Sequence, residues 1–275
     1  MAKCWLDRKV ILVTGASSGI GRELVKFLIN KHNCMVIGVG RNEEKLKSLK
    51  NELEEKSHNF SYKIMDVGVE ENWKNLSLGI SNLDVIINNA GVLPNFSNFE
   101  NFVKDECENG VEKEVGKVMN TNFMSAVYSV AYLSKTIEKS QTPAIINVCS
   151  SAGLCPLPGI SLYTASKSAL KNFTESLRCE RKYYIGLVCP GFTKTDIFRN
   201  QKNSSDSKLI SLISTSLGKM SKKIYKGIKK KKKRMVFGMD AKAMDRLYRL
   251  MPKSSLKLFT GILKKANIEL FKDVF

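Results

Sequence analysis

Val10-Ile11-Leu12-Val13-Thr14-Gly15-Ala16-Ser17-Ser18-Gly19-Ile20-Gly21 is the stretch that decides the fold. The branched apolar run Val10–Thr14 reads as a strand buried on both faces. It passes straight into a glycine-rich turn, and a helical pattern follows over about Gly19–Asn30. Glycines there permit a tight turn and let the backbone approach a pyrophosphate closely. The helix aims its unpaired N-terminal amides and its dipole at the same anion. A glycine-rich turn by itself can be purely structural. Directly between a first strand and a helix, it marks Gly15, Ser17, Ser18, Gly19, Ile20 and Gly21 as candidate dinucleotide contacts.

Outward from this segment, apolar runs alternate with helical patterns. Strands are expected at Cys34–Val39, Tyr62–Met65, Val85–Asn88, Ala144–Cys149, Ile185–Cys189 and Met235–Gly238. Helices are expected at Glu43–Lys56 (capped by Asn42), in one long piece at Glu112–Lys139, and at Tyr163–Glu180. Strand–helix alternation with two-sided strands predicts an α/β fold, a parallel sheet covered on both faces. Such sheets bind ligands beyond the C-terminal ends of their strands, where the strand order reverses. Residues 1–200 read as a dinucleotide-binding and catalytic core. Residues 201–275 read as a lid, the last strand and a basic helical extension of the same domain.

The residues just past the strands carry the chemistry. After strand two stand Gly40-Arg41, with no carboxylate before Glu43. A carboxylate there would bind a ribose 2′-hydroxyl, whereas an arginine can pair with a 2′-phosphate, so the expected cofactor is NADP(H). Asp66, with Val67 beside it, is placed to meet an adenine. Asn89-Ala90-Gly91 offers small residues and backbone amides where a cofactor would cross the sheet edge. Tyr163 and Lys167 are four apart, and so share one face of a helix. A free phenol with a pKa near ~10 is a poor proton shuttle at neutral pH, and a nearby ammonium lowers it. Ser150, just past strand five, can hold a substrate oxygen beside the tyrosine. Asn122 is an amide inside a predicted helix, where its propensity is modest, which invites either a water-binding role or a solvent-facing one. Pro190-Gly191 and Thr193 follow strand six, where a turn can approach a nicotinamide.

Together these pieces resemble the short-chain dehydrogenase/reductase family, in its order and spacing, over about residues 8–200. The resemblance implies a Rossmann-type, doubly wound sheet of about seven parallel strands. It implies Tyr163 as general acid or base, Ser150 as stabiliser of the substrate oxygen, Lys167 as modulator of the tyrosine and ribose ligand, and Asn122 in a water-linked proton relay. It implies a dimer or tetramer. Cys149 stands where many members have serine, and the link Arg181–Tyr184 is shorter than usual.

Composition bounds the rest. The chain of 275 residues is 43% hydrophobic, enough for a large core, with no apolar run long enough to span a membrane and no signal peptide. A cytoplasmic protein is expected. Seven scattered cysteines without a Cys-x-x-Cys pair, and two histidines, argue against both a disulfide framework and a metal site. Of the net charge of +19, residues 199–275 carry about +16. Leu209, Ile210, Leu212, Ile213 and Leu217 offer apolar lid surface for a steroid- or lipid-like carbonyl or alcohol. Lysines alternate with apolar residues over Ser254–Phe275, a pattern that suits an anionic membrane surface or a helical cap on the sheet. Nucleic-acid binding is not expected, because no recognition fold accompanies the lysines. The competing readings are an NADP(H)-binding redox sensor and a membrane-peripheral scaffold with little turnover.

Overall fold

A computed structural model describes residues 4–108, 110–194, 214–265 and 269–275. Leu209, Ile210, Leu212 and Ile213 of the expected lid lie outside the described residues. The elements in chain order are β1 (Val10–Thr14), α1 (Gly19–His32), β2 (Met35–Gly40), α2 (Glu43–Glu52), β3 (Phe60–Ile64), α3 (Glu70–Leu78), β4 (Val85–Asn88), α4 (Phe99–Glu106), α5 (Val111–Met119) and α6 (Ser125–Ile137). Then follow β5 (Ala144–Val148), α7 (Ser161–Glu180), β6 (Tyr184–Pro190), β7 (Thr193–Lys194), β8 (Thr215–Ser216), α8 (Leu217–Lys229), β9 (Arg234–Phe237), α9 (Met239–Leu250) and α10 (Pro252–Lys265).

Seven strands form one parallel sheet in the order β3-β2-β1-β4-β5-β6-β9. The alternation of side chains in β1 explains why the strand had to be apolar throughout. Ile11 and Val13 face a cluster with Leu24 and Leu28 of α1 and Ile224 and Ile228 of α8. Leu12 faces the opposite cluster, with Trp73 of α3, Leu133 of α6 and Leu177 of α7. The order of strands reverses between β1 and β4, so the crevice expected for a ligand opens beyond Thr14 and Asn88. Asn42 caps α2 as expected, its side chain accepting from the Lys45 amide at 2.8 Å.

Two departures from the expected elements have local causes. The single helix expected over Glu112–Lys139 is α5 and α6 joined by a π turn over Asn120–Met124. The extra residue in that turn accompanies a tertiary contact, the side chain of Asn122 bonding both backbone groups of Val92. A small second sheet, β7 with β8, pairs residues on either side of the segment outside the described residues. The short link at Arg181–Tyr184 closes without distortion of β6. Arg178 braces it, donating to the carbonyls of Ile185 at 3.2 Å and Lys233 at 2.7 Å.

At the N-terminal ends of the strands, metal-donor types do meet: single donor atoms of Cys4, Asp7 and His32 lie within 4.8 Å of one another. The imidazole there bridges Asp7 and the Tyr225 hydroxyl, at 2.5 and 2.8 Å, and so ties the first turn to α1 and α8.

Candidate active site

The turn after β1 is shaped by its glycines. Gly15 and Gly19 have φ of +65° and +55°, where a side chain would be strained. A Cβ on Gly21 would stand 2.3 Å from the Gly15 carbonyl oxygen, so only glycine lets α1 begin this close to the turn. Asn89 locks the turn to β4: its side-chain amide donates to the Thr14 carbonyl at 3.0 Å. The Thr14 hydroxyl accepts from the amides of Asn89 and Ala90 at 2.9 and 3.0 Å. Ser18 is the N-cap of α1, yet its side chain makes no capping bond.

This turn forms one end of a cavity of about 520 Å³. Its wall brings together Gly15, Ser18, Gly19, Ile20, Arg41, Asn89, Ala90, Gly91, Ser150, Tyr163, Lys167, Pro190, Gly191 and Thr193. The residues fit a dinucleotide: a tight turn without side chains at Gly15 and Gly19, a helix N-terminus with an unused serine cap, and basic groups at the end of β2. The remaining candidates sit behind the wall. Gly21 and Ser17 support the turn, Ser17 lying against Gly40. Val67 is buried and its carbonyl accepts from the Trp73 indole at 2.8 Å. Asp66 accepts from the Gly68 amide at 2.8 Å, and its other oxygen is 4.0 Å from Arg41.

At the catalytic end, Ser150 follows β5 and Tyr163 opens the second residue pair of α7. The two hydroxyls line the same stretch of cavity wall. Ser150 Oγ accepts from the Ala152 amide at 3.2 Å, which holds it at the cavity wall. Enclosure pushes the Tyr163 phenol well above its ordinary pKa, and the neighbouring Ser150 hydroxyl opposes this only in part. Lys167 is 3% exposed, and burial pulls its ammonium below the ordinary lysine range. Its Nζ donates to the Val148 carbonyl at 3.2 Å and lies 5.8 Å from the centre of the Tyr163 ring.

Asn122 is 1% exposed, which removes the solvent-facing alternative. Its Oδ1 accepts from the Val92 amide at 2.7 Å. Its Nδ2 donates to the Val92 carbonyl at 2.9 Å and to Ser166 Oγ at 3.0 Å. Ser166 in turn donates to the Tyr163 carbonyl at 2.7 Å. Asn122 and Lys167 Nζ both border the open side of Gly91, at 3.2 and 3.3 Å from where a Cβ would stand. Cys149, in the place of a serine, donates from Sγ to the Lys167 carbonyl at 3.1 Å and so braces α7 from below.

Several wall residues were not anticipated from sequence. Lys45, one turn into α2, lines the cavity near Arg41. The far wall is apolar, with Phe96, Phe102, Leu157, Ile160 and Phe192, and it also carries Glu106, which accepts from the Asn95 side chain at 2.8 Å.

Comparison with known proteins places this geometry. Residues 9–206 match the family model described as short chain dehydrogenase. The 3-oxoacyl-(acyl-carrier-protein) reductase of Rickettsia prowazekii is 35% identical over 195 residues, 70% of this chain and 76% of the relative. A 3beta-hydroxysteroid dehydrogenase of Mediterraneibacter gnavus is 30% identical over 209 residues, 74% of this chain and 71% of the relative. Among solved structures, a short chain dehydrogenase/reductase from Burkholderia phymatum in complex with NAD superposes with a TM-score of 0.76 at 19% identity, covering 93% of this chain and 97% of that one. A short chain dehydrogenase from Shigella flexneri complexed with NADP gives 0.70 at 23% identity, covering 85% and 97%. With the glycine turn, the switch-point cavity and the Ser150–Tyr163 pair in one frame, the chain belongs to the short-chain dehydrogenase/reductase family of oxidoreductases.

Proposed function

We propose that the protein is an NADP(H)-dependent reductase of a carbonyl on an apolar scaffold, running between ketone and secondary alcohol. The observation that carries this reading is the pair of hydroxyls, Ser150 and Tyr163, on one wall of a cavity whose other end holds the glycine turn with Arg41 and Lys45. The turn and α1 would hold the pyrophosphate, Arg41 and Lys45 a 2′-phosphate, and Lys167 the nicotinamide ribose. The bound dinucleotide supplies the hydride.

The proton is the chain's own part. A phenol held above its usual range is protonated at neutral pH. Tyr163 is thus set to donate as negative charge grows on the substrate oxygen, while Ser150 holds that oxygen by a second hydrogen bond. Lys167 is a buried cation with a carbonyl partner, able to favour the phenolate left behind once its Nζ turns from Val148. Asn122, bonded at both ends of its amide, positions the β4 loop beside Lys167.

Phe96, Phe102, Leu157, Ile160 and Phe192 suit an apolar substrate. The printed names of two relatives, a 3-oxoacyl reductase and a 3beta-hydroxysteroid dehydrogenase, describe oxygenated carbons on apolar scaffolds. A 3-oxoacyl thioester is the first candidate and a 3-ketosteroid the second. The assay is NADPH absorbance with a panel of both. Turnover is expected, with Tyr163→Phe slower by about 10²–10⁴-fold. Tight NADPH binding without turnover of any ketone in the panel would favour a redox-sensing module instead. A homo-oligomer is part of this reading and is checked by light scattering.

A further inference from the structure

The helix α10 has two apolar faces. Leu256, Phe259 and Leu263 turn inward, in one cluster with Phe96, Leu157 and Ile160 of the cavity wall. The C-terminal residues that follow the helix are tied to the same wall, since the Asn98 amide donates to the Asp273 carbonyl at 2.9 Å. Leu258 and Ile262 turn outward and are 50% and 51% exposed, and Met251, in the link just before α10, is 48% exposed. Leu258 and Ile262, four residues apart, lie one above the other in a stripe on the helix. Leu250, at the end of α9, is 77% exposed. Inward packing already satisfies the helix, so the core does not account for the outer stripe.

Lysines border that stripe. Lys253, Lys257, Lys264 and Lys265 are exposed, and α10 contains no acidic residue. Lys264 Nζ lies 5.0 Å from the ring centre of Phe275, itself 48% exposed. An apolar stripe edged by cations suits the boundary between acyl chains and anionic headgroups, with the lysine stems lying along the apolar surface and their heads in the phosphate layer. Among the described residues no helix is long and apolar enough to cross a membrane, so such contact would be lateral.

We infer that the outer face of α10 docks on an anionic bilayer and that docking sets the substrate cavity against the lipid that supplies its ketone. The inference rests on the reading of the cavity as a carbonyl-reducing site. It names the substrate class as bilayer-resident long-chain ketones. The single helix between lipid and cavity wall is the route by which docking reaches the site.

The test uses the full chain with vesicles of phosphatidylcholine, with and without phosphatidylglycerol. Two variants touch only the outer face: Leu258→Glu with Ile262→Glu, and Lys257→Gln with Lys265→Gln. Each lysine near an anionic surface is worth about a fivefold change in partition, so the lysine pair is expected to weaken binding by roughly 25-fold. Unchanged melting temperatures establish that the variants fold. The wild type is expected to bind anionic vesicles in a salt-sensitive way. Both variants are expected to reduce a short, soluble ketone at the wild-type rate and to lose at least tenfold on a long-chain ketone presented in anionic vesicles. Absence of binding, equal binding to neutral vesicles, or variants that bind like wild type would overturn the inference. So would conversion of an oligomer to monomer by Leu258→Glu with Ile262→Glu, which would assign the face to a second copy of the chain. Vesicle binding without turnover of either ketone would remove the reductase reading and leave the docking intact.

Discussion

Replacing Asn122 by alanine tests whether the π turn is held by its tertiary hydrogen bonds. The side chain makes three: from the Val92 amide, to the Val92 carbonyl and to Ser166 Oγ, at 2.7, 2.9 and 3.0 Å. Each is worth about 1 kcal/mol, and Ser166 keeps its own bond to Tyr163, so the expected loss is about 2–3 kcal/mol. For a chain of this size that lowers Tm by about 5–10 °C. Because Val92 sits beside Gly91 on the cavity wall, kcat should fall as well, measured well below the melting transition. Asn122→Asp separates the two contributions. It keeps the acceptor for the Val92 amide, turns a carboxylate toward the Val92 carbonyl and adds negative charge near Lys167. Its stability should be lower than that of Asn122→Ala at neutral pH and recover as the new carboxyl is protonated. An Asn122→Ala protein melting within about 2 °C of wild type with unchanged kcat would refute the assignment.

Arg41→Ala should lower kcat/KM for NADPH by about 10- to 150-fold and leave NADH nearly unchanged, since hydrogen bonds to charged groups are worth about 1.5–3 kcal/mol; equal effects on both cofactors would show that Arg41 does not read the 2′-position. Gly21→Ala places a methyl 2.3 Å from a backbone oxygen and is expected to cost at least ~3 kcal/mol, visible in urea melts and as loss of NADPH fluorescence enhancement. Asp245 is held below its ordinary pKa by the Arg234 guanidinium, which donates to both its oxygens at 2.8 and 2.7 Å. A lowered native pKa means stability fully present above the unfolded value near ~3.9 and lost as pH falls through the native one. Asp245→Asn should therefore cost about 1.5–3 kcal/mol at neutral pH, and the gap to wild type should close in acid.

The sheet was legible because each central strand is buried on both faces, which leaves a continuous apolar run such as Ile145-Ile146 or Leu187-Val188. Ser150, Tyr163 and Lys167 were legible through their places relative to β5 and along α7. The π turn was not, because its cause lies in Val92, far from Asn122 in sequence, and helical periodicity runs through it. Lys45 was hidden for a similar reason: only the docking of α2 brings its side chain to the wall that Arg41 shares. Asp66 follows β3 as expected, but its Oδ1 is engaged by the Gly68 amide at 2.8 Å, a local bond that strand position alone does not reveal. The inner face of α10 packs on the cavity wall, whereas the alternation of lysine and leucine fitted either a membrane or a packing surface.

The place of β9 has a consequence for synthesis. Every residue of β6 is buried in the finished fold, and its outer edge pairs with β9, from Leu187 against Arg234 to Pro190 against Phe237. On the ribosome, Pro190 emerges before Phe237 by several seconds at ~5–20 residues/s. Throughout that interval a fully apolar strand presents an open hydrogen-bonding edge, the geometry that recruits foreign strands. The five lysines of Lys229–Lys233 arrive immediately ahead of the missing strand. Because that charge emerges together with β9, the edge of β6 stays unguarded until the strand that pairs with it is itself available.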